Sequence, residues 1–211
     1  MIRFSFKEYW LKRNLVHVRA AGEDLPRLAQ TSTPKEWAEV GKTLFERKQY
    51  TQARSCFERA GLPREMAIAH AYVLREHASR LPTGKPGNSA EATRRDAFVQ
   101  AADAFLSCSS KQSLVYFRRA GECFEAAEKY LRAAEVYYQG ESYTESVLLY
   151  RRLGNFDEAI AIVVDKNGKV RPEVADDTKS AAKLFYLSRT ETELVDNEFA
   201  VKNNDADTDI V

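Results

Sequence analysis

Seven times in 211 residues an aromatic side chain is followed three positions on by a small or branched residue, and four beyond that by a bulky apolar one. The seven sets are Trp37-Val40-Leu44, Tyr50-Ala53-Phe57, Phe98-Ala101-Phe105, Phe117-Ala120-Phe124, Tyr130-Ala133-Tyr137, Tyr143-Ser146-Tyr150 and Phe156-Ala159-Val163. Offsets of zero, three and seven fall within about 60° of one another on a helix, so each set lays one apolar stripe along one helix.

The stripes also recur at a fixed step. Trp37 to Tyr50 is 13 residues, as are Phe117 to Tyr130, Tyr130 to Tyr143 and Tyr143 to Phe156. Such a step holds a helix of roughly ten residues, about 15 Å long, and a turn of about three, so neighbouring helices must run antiparallel. A helix that short is marginal alone and gains its stability by packing its stripe on its neighbours. The expected class is therefore all-α: helical hairpins stacked into an α-solenoid, with the small mid-stripe residue marking where two helices come close.

Composition permits this. Hydrophobic residues make up 44% and charged residues 30% of the chain, enough for a packed core without disulfides or metals. No run approaches eighteen apolar residues, and Met1 to Lys7 lacks the continuous apolar core of a secretory signal. Three cysteines, Cys56, Cys108 and Cys123, are an odd number scattered over separate helices. That usage fits a reducing compartment, so an intracellular location, cytoplasmic or nuclear, is expected, with no membrane partner. The net charge of +1 hides asymmetry: residues 1–20 hold five bases against one acid, and residues 190–211 seven acids against one base.

Three segments follow. Residues 1–30 lie outside the repeat but carry Phe4, Phe6, Tyr9, Trp10, Leu11, Leu15, Val16 and Val18; they read as a short helix and then an extended piece, capping the first repeat or ending an upstream domain. Residues 31–188 read as the repeat domain. Thr33 is its N-cap, Pro34 the first helical position and Glu36 the capping-box partner. Gly61-Leu62-Pro63 stops the second helix, a third spans about 64–79, and residues 81–91, with two prolines and two glycines, form a loop before helices resume near Ala92. Pro172 opens a last helix through Leu187. Residues 189–211 are acidic, poor in core residues and expected to be a disordered tail.

Residues 37–60 resemble the tetratricopeptide repeat family: its Trp, Leu-Gly, apolar, Tyr, Ala, Phe, Ala pattern is met by Trp37, Val40-Gly41, Leu44, Tyr50, Ala53, Phe57 and Ala60, with Pro63 near the terminal proline. Phe117, Ala120-Gly121, Phe124, Tyr130, Ala133, Tyr137 and Gly140 match in the same register. The resemblance implies a right-handed solenoid of helix pairs. The 13 residues from Tyr130 to Tyr143 replace the family's roughly 21, so the carboxyl-terminal end is irregular. More narrowly, Leu15-Val16, Ser32 to Trp37, Cys56 to Gly61, Leu74-Arg75-Glu76 and Lys183 to Tyr186 resemble the helical-repeat region of large proteins that join a UvrD-type helicase-like ATPase to such repeats. That implies a motor outside these residues.

Motifs for chemistry are weak. Gly41-Lys42-Thr43 has the ending of a phosphate-binding loop, but Glu36 stands where the first glycine belongs. His70 and His77, seven apart on a helix, lie about 10.5 Å apart along its axis, too far to share a metal ion. No serine elbow, cysteine–histidine pairing or carboxylate cluster is visible, so the chain reads as non-catalytic, without metal or cofactor. The leading expectation is a scaffold for a protein or peptide ligand. The resemblance places its binding face just after the aromatic anchors, at Lys35, Lys42, Arg118, Glu122, Glu125 and Arg151. Ala38 and Lys42 do not supply the family's lysine–asparagine clamp for terminal carboxylates. The alternative is an accessory region contacting the motor or nucleic acid through Arg118-Arg119, Arg151-Arg152 and the basic first twenty residues.

Overall fold

A computed structural model describes the backbone of residues 16–20, 23–27, 32–84 and 88–206, and the side chains of 32–84 and 88–190. The described chain is helical apart from one two-stranded antiparallel hairpin, β1 (Val16–Ala20) and β2 (Glu23–Arg27), with Val18 opposite Leu25. The extended piece foreseen for the first thirty residues is this hairpin; the short helix foreseen before it lies outside the described residues. Nine helices follow among the described residues: α1 (Pro34–Glu46), α2 (Tyr50–Arg59), α3 (Pro63–Arg80), α4 (Ser89–Cys108), α5 (Val115–Ala126), α6 (Tyr130–Gln139), α7 (Tyr143–Arg152), α8 (Phe156–Asp165) and α9 (Pro172–Ala206). None is long and apolar enough to cross a membrane, among the described residues.

All seven stripes lie on separate helices, and every stripe residue is buried except the leading rings Tyr50, Phe117, Tyr130 and Phe156, which are half-buried. The capping box at α1 is complete: Thr33 Oγ1 accepts from the Glu36 N–H at 3.4 Å and Glu36 Oε2 accepts from the Thr33 N–H at 2.8 Å. Gly41-Lys42-Thr43 lies in mid-helix, so its N–H groups are committed to helix bonds rather than to a phosphate.

The 13-residue step has a backbone cause. After α1, α2, α5, α6 and α7 one residue turns into the left-handed region: Lys48, Gly61, Glu128, Glu141 and Gly154, with φ from 58° to 76°. The next N–H in each case returns to the carbonyl of the last stripe residue: Gln49 to Leu44, Leu62 to Phe57, Lys129 to Phe124, Ser142 to Tyr137 and Asn155 to Tyr150, at 2.8–2.9 Å. Each is a Schellman stop, which satisfies orphan carbonyls and reverses the chain in three residues. A side-chain-bearing residue in that conformation costs about 1–2 kcal/mol, part of which glycine loses again through its freer unfolded state. Lys48→Gly and Glu141→Gly are each expected to raise stability by about 0.5–1 kcal/mol in urea melts; a fall for both would contradict the strain account. Glu128 is a poorer choice because its carboxylate pairs with Arg95 at 2.6 Å.

The chain forms two compact units, residues 1–129 and 130–211. The division falls within the stretch read as one repeat domain. In the first unit α1 to α5 pack each on the next, and β2 touches α2. One cluster joins Trp37, Val40, Leu44, Ala53, Cys56, Phe57 and Ala69. In the second unit α6 packs on α7, α7 on α8, and α9 on both α7 and α8. There the Ser146 hydroxyl, fully buried in its stripe, donates to the Ala134 carbonyl at 2.8 Å, so a polar residue fits a core position.

Two boundaries differ from expectation. Helix α4 begins at Ser89 rather than near Ala92, because Asn88 caps it by accepting from the Ala90 N–H at 3.5 Å; of the foreseen loop, residues 85–87 lie outside the described residues. The last helix runs to Ala206 rather than stopping at Leu187. Residues 188–206 contain neither glycine nor proline to end it, and residues 207–211 lie outside the described chain.

Candidate functional site

The first unit carries a groove of about 210 Å³ lined by Lys42, Phe45 and Glu46 of α1, Phe57 of α2, Glu65 and Ile68 of α3, and Tyr116 of α5. Its position follows from the stripes. Trp37, Val40 and Leu44 face the core; Phe45, about 100° round the helix from the stripe, sits at the edge of the packed seam, and Lys42, nearly opposite the stripe, is exposed.

The groove wall belongs to a run of rings crossing five helices. Phe45 meets Tyr50 and Tyr72 edge-on, each with centroids 5.2 Å apart; Tyr50 stacks on Tyr72 at 4.6 Å; Tyr72 meets Phe105 edge-on at 5.0 Å; and Phe105 lies nearly parallel to Tyr116 at 6.5 Å. Aromatic pairs in such geometries add about 0.5–1.5 kcal/mol each beyond area burial, so the wall is stiff. Burial raises the Tyr50 and Tyr116 phenols above their ordinary 10.0, more than the nearby Arg75 and Arg119 (Tyr50) or Arg64 (Tyr116) lower them. Both stay protonated and can donate hydrogen bonds.

The groove's charges divide into engaged and unengaged groups. Lys42 Nζ lies 3.3 Å from Glu39 Oε1. Glu46 and Glu65 have no ion-pair partner among the described residues. Beside the ring run, Arg119 Nη1 donates to both oxygens of Glu122 at 2.9 Å while Arg75 Nη2 lies 3.3 Å from Glu122 Oε2. The Glu122 hydrogen bonds are the main reason the Arg119 guanidinium holds its proton more tightly than usual.

Of the six residues expected to bind a partner, only Lys42 lines the groove. Lys35 is exposed at the start of α1. Glu122 is the strut that ties α5 to Arg75 of α3. Arg118 is exposed, Glu125 is half-buried, and both take part in interactions of their own. Arg151 belongs to the second unit, 4.0 Å from Asp177 Oδ2. Sequence reasoning missed Phe45, Glu46, Glu65, Ile68 and Tyr116, and read Phe57 only as a stripe residue. Glu65 and Ile68 lie on α3, off the 13-residue step, so no stripe pointed to them.

No group of histidine, cysteine and acidic residues that could hold a metal ion occurs among the described residues. His77 is exposed, and His70 Nδ1 lies 3.3 Å from Arg54 Nη1. All three cysteines are buried and free. Burial pushes the Cys56 thiol up to about 11 and the Cys123 thiol to about 12, against a weaker opposing pull from Arg59 on the first and from Arg75 and Arg119 on the second. At pH 8, Cys56 is expected to react with a thiol-specific disulfide reagent roughly a hundredfold, and Cys123 roughly a thousandfold, more slowly than in denaturant, because the thiolate is the reactive form. The folded values lie above the ordinary 9.0, so the stability they contribute is intact below about pH 9 and is lost as pH rises through 11 to 12. Rapid labelling of either cysteine in the native chain would contradict this.

Compared with family models, curated proteins and solved structures, the chain matches none.

Proposed function

We propose that this chain is a non-catalytic helical-repeat scaffold, a solenoid of tetratricopeptide-like hairpins that binds a protein or peptide segment. The observation that carries this reading is the groove of the first unit: apolar, open, walled by a stiff run of rings and rimmed by charged side chains from two helices, α1 and α3. Clefts with an apolar floor and a few convergent polar groups are the common form of binding sites. Reading the chain instead as a nucleic-acid-contacting accessory region has less support, because Arg119 is already held by Glu122.

A photo-crosslinking amino acid placed at Lys42 of the full chain tests this, with Ser79, an exposed position of α3 outside the groove, as the comparison. Protease-sensitive adducts formed in cells from position 42, far more abundant than from position 79, are the expected result. Equal adducts from both positions, or none from 42, would sink the scaffold reading.

A further inference from the structure

The groove's walls and charges select among polypeptide ligands. Resting on the scaffold reading above, we propose that the groove takes a segment presenting one large apolar side chain beside a lysine or arginine.

The apolar half of the inference comes from size and lining. About 210 Å³ bounded by Phe45, Phe57, Ile68 and Tyr116 exceeds the roughly 150 Å³ apolar cavity known to accept a benzene ring, so a phenylalanine, leucine or methionine side chain fits. The wall is formed before the ligand arrives: Phe57 is buried and its ring lies 6.4 Å from that of Phe45, while Phe45 is fixed by Tyr50 and Tyr72. A preformed wall lowers the ordering cost of binding.

The basic half comes from the rim. Lys42, the cation of the groove lining, is paired with Glu39, whereas the Glu46 and Glu65 carboxylates have no ion-pair partner among the described residues. They come from different helices, α1 and α3, and both line the same groove. A cation next to the buried anchor meets both, and an acidic residue there meets both as like charges. With the rim partly in water, the discrimination is on the order of tenfold at low salt, shrinking as salt screens it.

The test uses the full isotope-labelled chain and three blocked octapeptides, Gly-Ser-Gly-X-Z-Gly-Ser-Gly, with X-Z as Phe-Arg, Phe-Glu or Ala-Arg. The Phe-Arg peptide is expected to shift the backbone resonances of residues 45, 46, 65, 68 and 116 at concentrations about tenfold below those needed by Phe-Glu, with Ala-Arg weaker than Phe-Arg. The double variant Glu46→Lys with Glu65→Lys, checked for helicity by circular dichroism, is expected to reverse the Arg-over-Glu order. Glu46→Gln, a neutral change at an exposed position, is expected to narrow it. Equal or stronger groove binding of Phe-Glu would overturn the charge assignment while leaving the groove a peptide site. Shifts confined to other residues, or none with any peptide, would overturn the inference outright, and the scaffold reading falls with it only if crosslinking from Lys42 also finds no polypeptide.

Discussion

Truncating Phe105 to alanine is expected to destabilise the first unit by about 3–5 kcal/mol, the largest single-side-chain effect on the groove's support. The ring is fully buried. It stands between Tyr72, which meets it edge-on at 88°, and Tyr116, which lies 12° from parallel. Its buried neighbours along α4, Ala101, Ala102 and Cys108, are too short to fill the void, so the loss combines transfer free energy with an unrelaxed cavity. Two ring contacts disappear as well, each worth about 0.5–1.5 kcal/mol. Phe105→Leu, which keeps most of the volume, is expected to cost far less, under about 1.5 kcal/mol. Guanidinium melts followed by tryptophan fluorescence measure both, since Trp37 lies in the same unit. A loss under about 1 kcal/mol for Phe105→Ala would mean that α4 collapses into the space and that the ring run is not what holds the groove wall.

The sequence made the stripes legible because their periodicity reports burial directly: side chains at three- and seven-residue offsets point one way, and here that way is inward. It made one of the five Schellman stops legible, at Gly61; Gly154 carries the same signal but went unread, and those at Lys48, Glu128 and Glu141 carry none. Nothing in a lysine or glutamate announces a left-handed backbone, and only the packing of flanking stripes imposes it. Helices α3 and α4 were read less well because they are 18 and 20 residues long and leave the 13-residue step. Tyr72, which touches Phe45, Tyr50 and Phe105, is in no stripe for the same reason.

The candidate site shows the same division. The resemblance puts Lys42 on the binding face of α1, and it does line the groove. Glu122, expected on the binding face, also stands three residues from Arg119, the spacing of a local ion pair. The local pair forms. The tertiary part, Arg75 reaching across from α3, has no local sequence signal. Glu46 and Glu65 could not be paired either, as their juxtaposition depends on the way α3 returns past α1.

Gly41→Val is expected to destabilise the first unit by at least about 3 kcal/mol, and Gly41→Ala by about 1–2 kcal/mol. A Cβ at this position would lie 2.8 Å from Phe57 Cε1, 2.9 Å from Phe57 Cδ1 and 3.2 Å from Cys56 Cβ. None of these atoms can retreat easily. Cys56 and Phe57 are buried in the cluster that holds α1 to α2, and Phe57 is also a wall of the groove. Helix propensity runs the other way, favouring alanine over glycine by about 0.8–1.0 kcal/mol in a helix interior, so the observed cost is the steric penalty minus that gain. This sets a clean internal comparison with Gly61, where a Cβ would meet nothing within 4 Å but φ is +67°. Gly61→Ala should therefore lose about 0.5–1 kcal/mol through backbone conformation alone, with groove peptides still bound, whereas Gly41→Ala should lose stability and weaken groove binding together because Phe57 must move. Chemical melts and peptide titrations of the two variants separate the cases. If Gly41→Ala proved as stable as the parent chain, the close approach of α1 and α2 at mid-stripe would not be what fixes the hairpin.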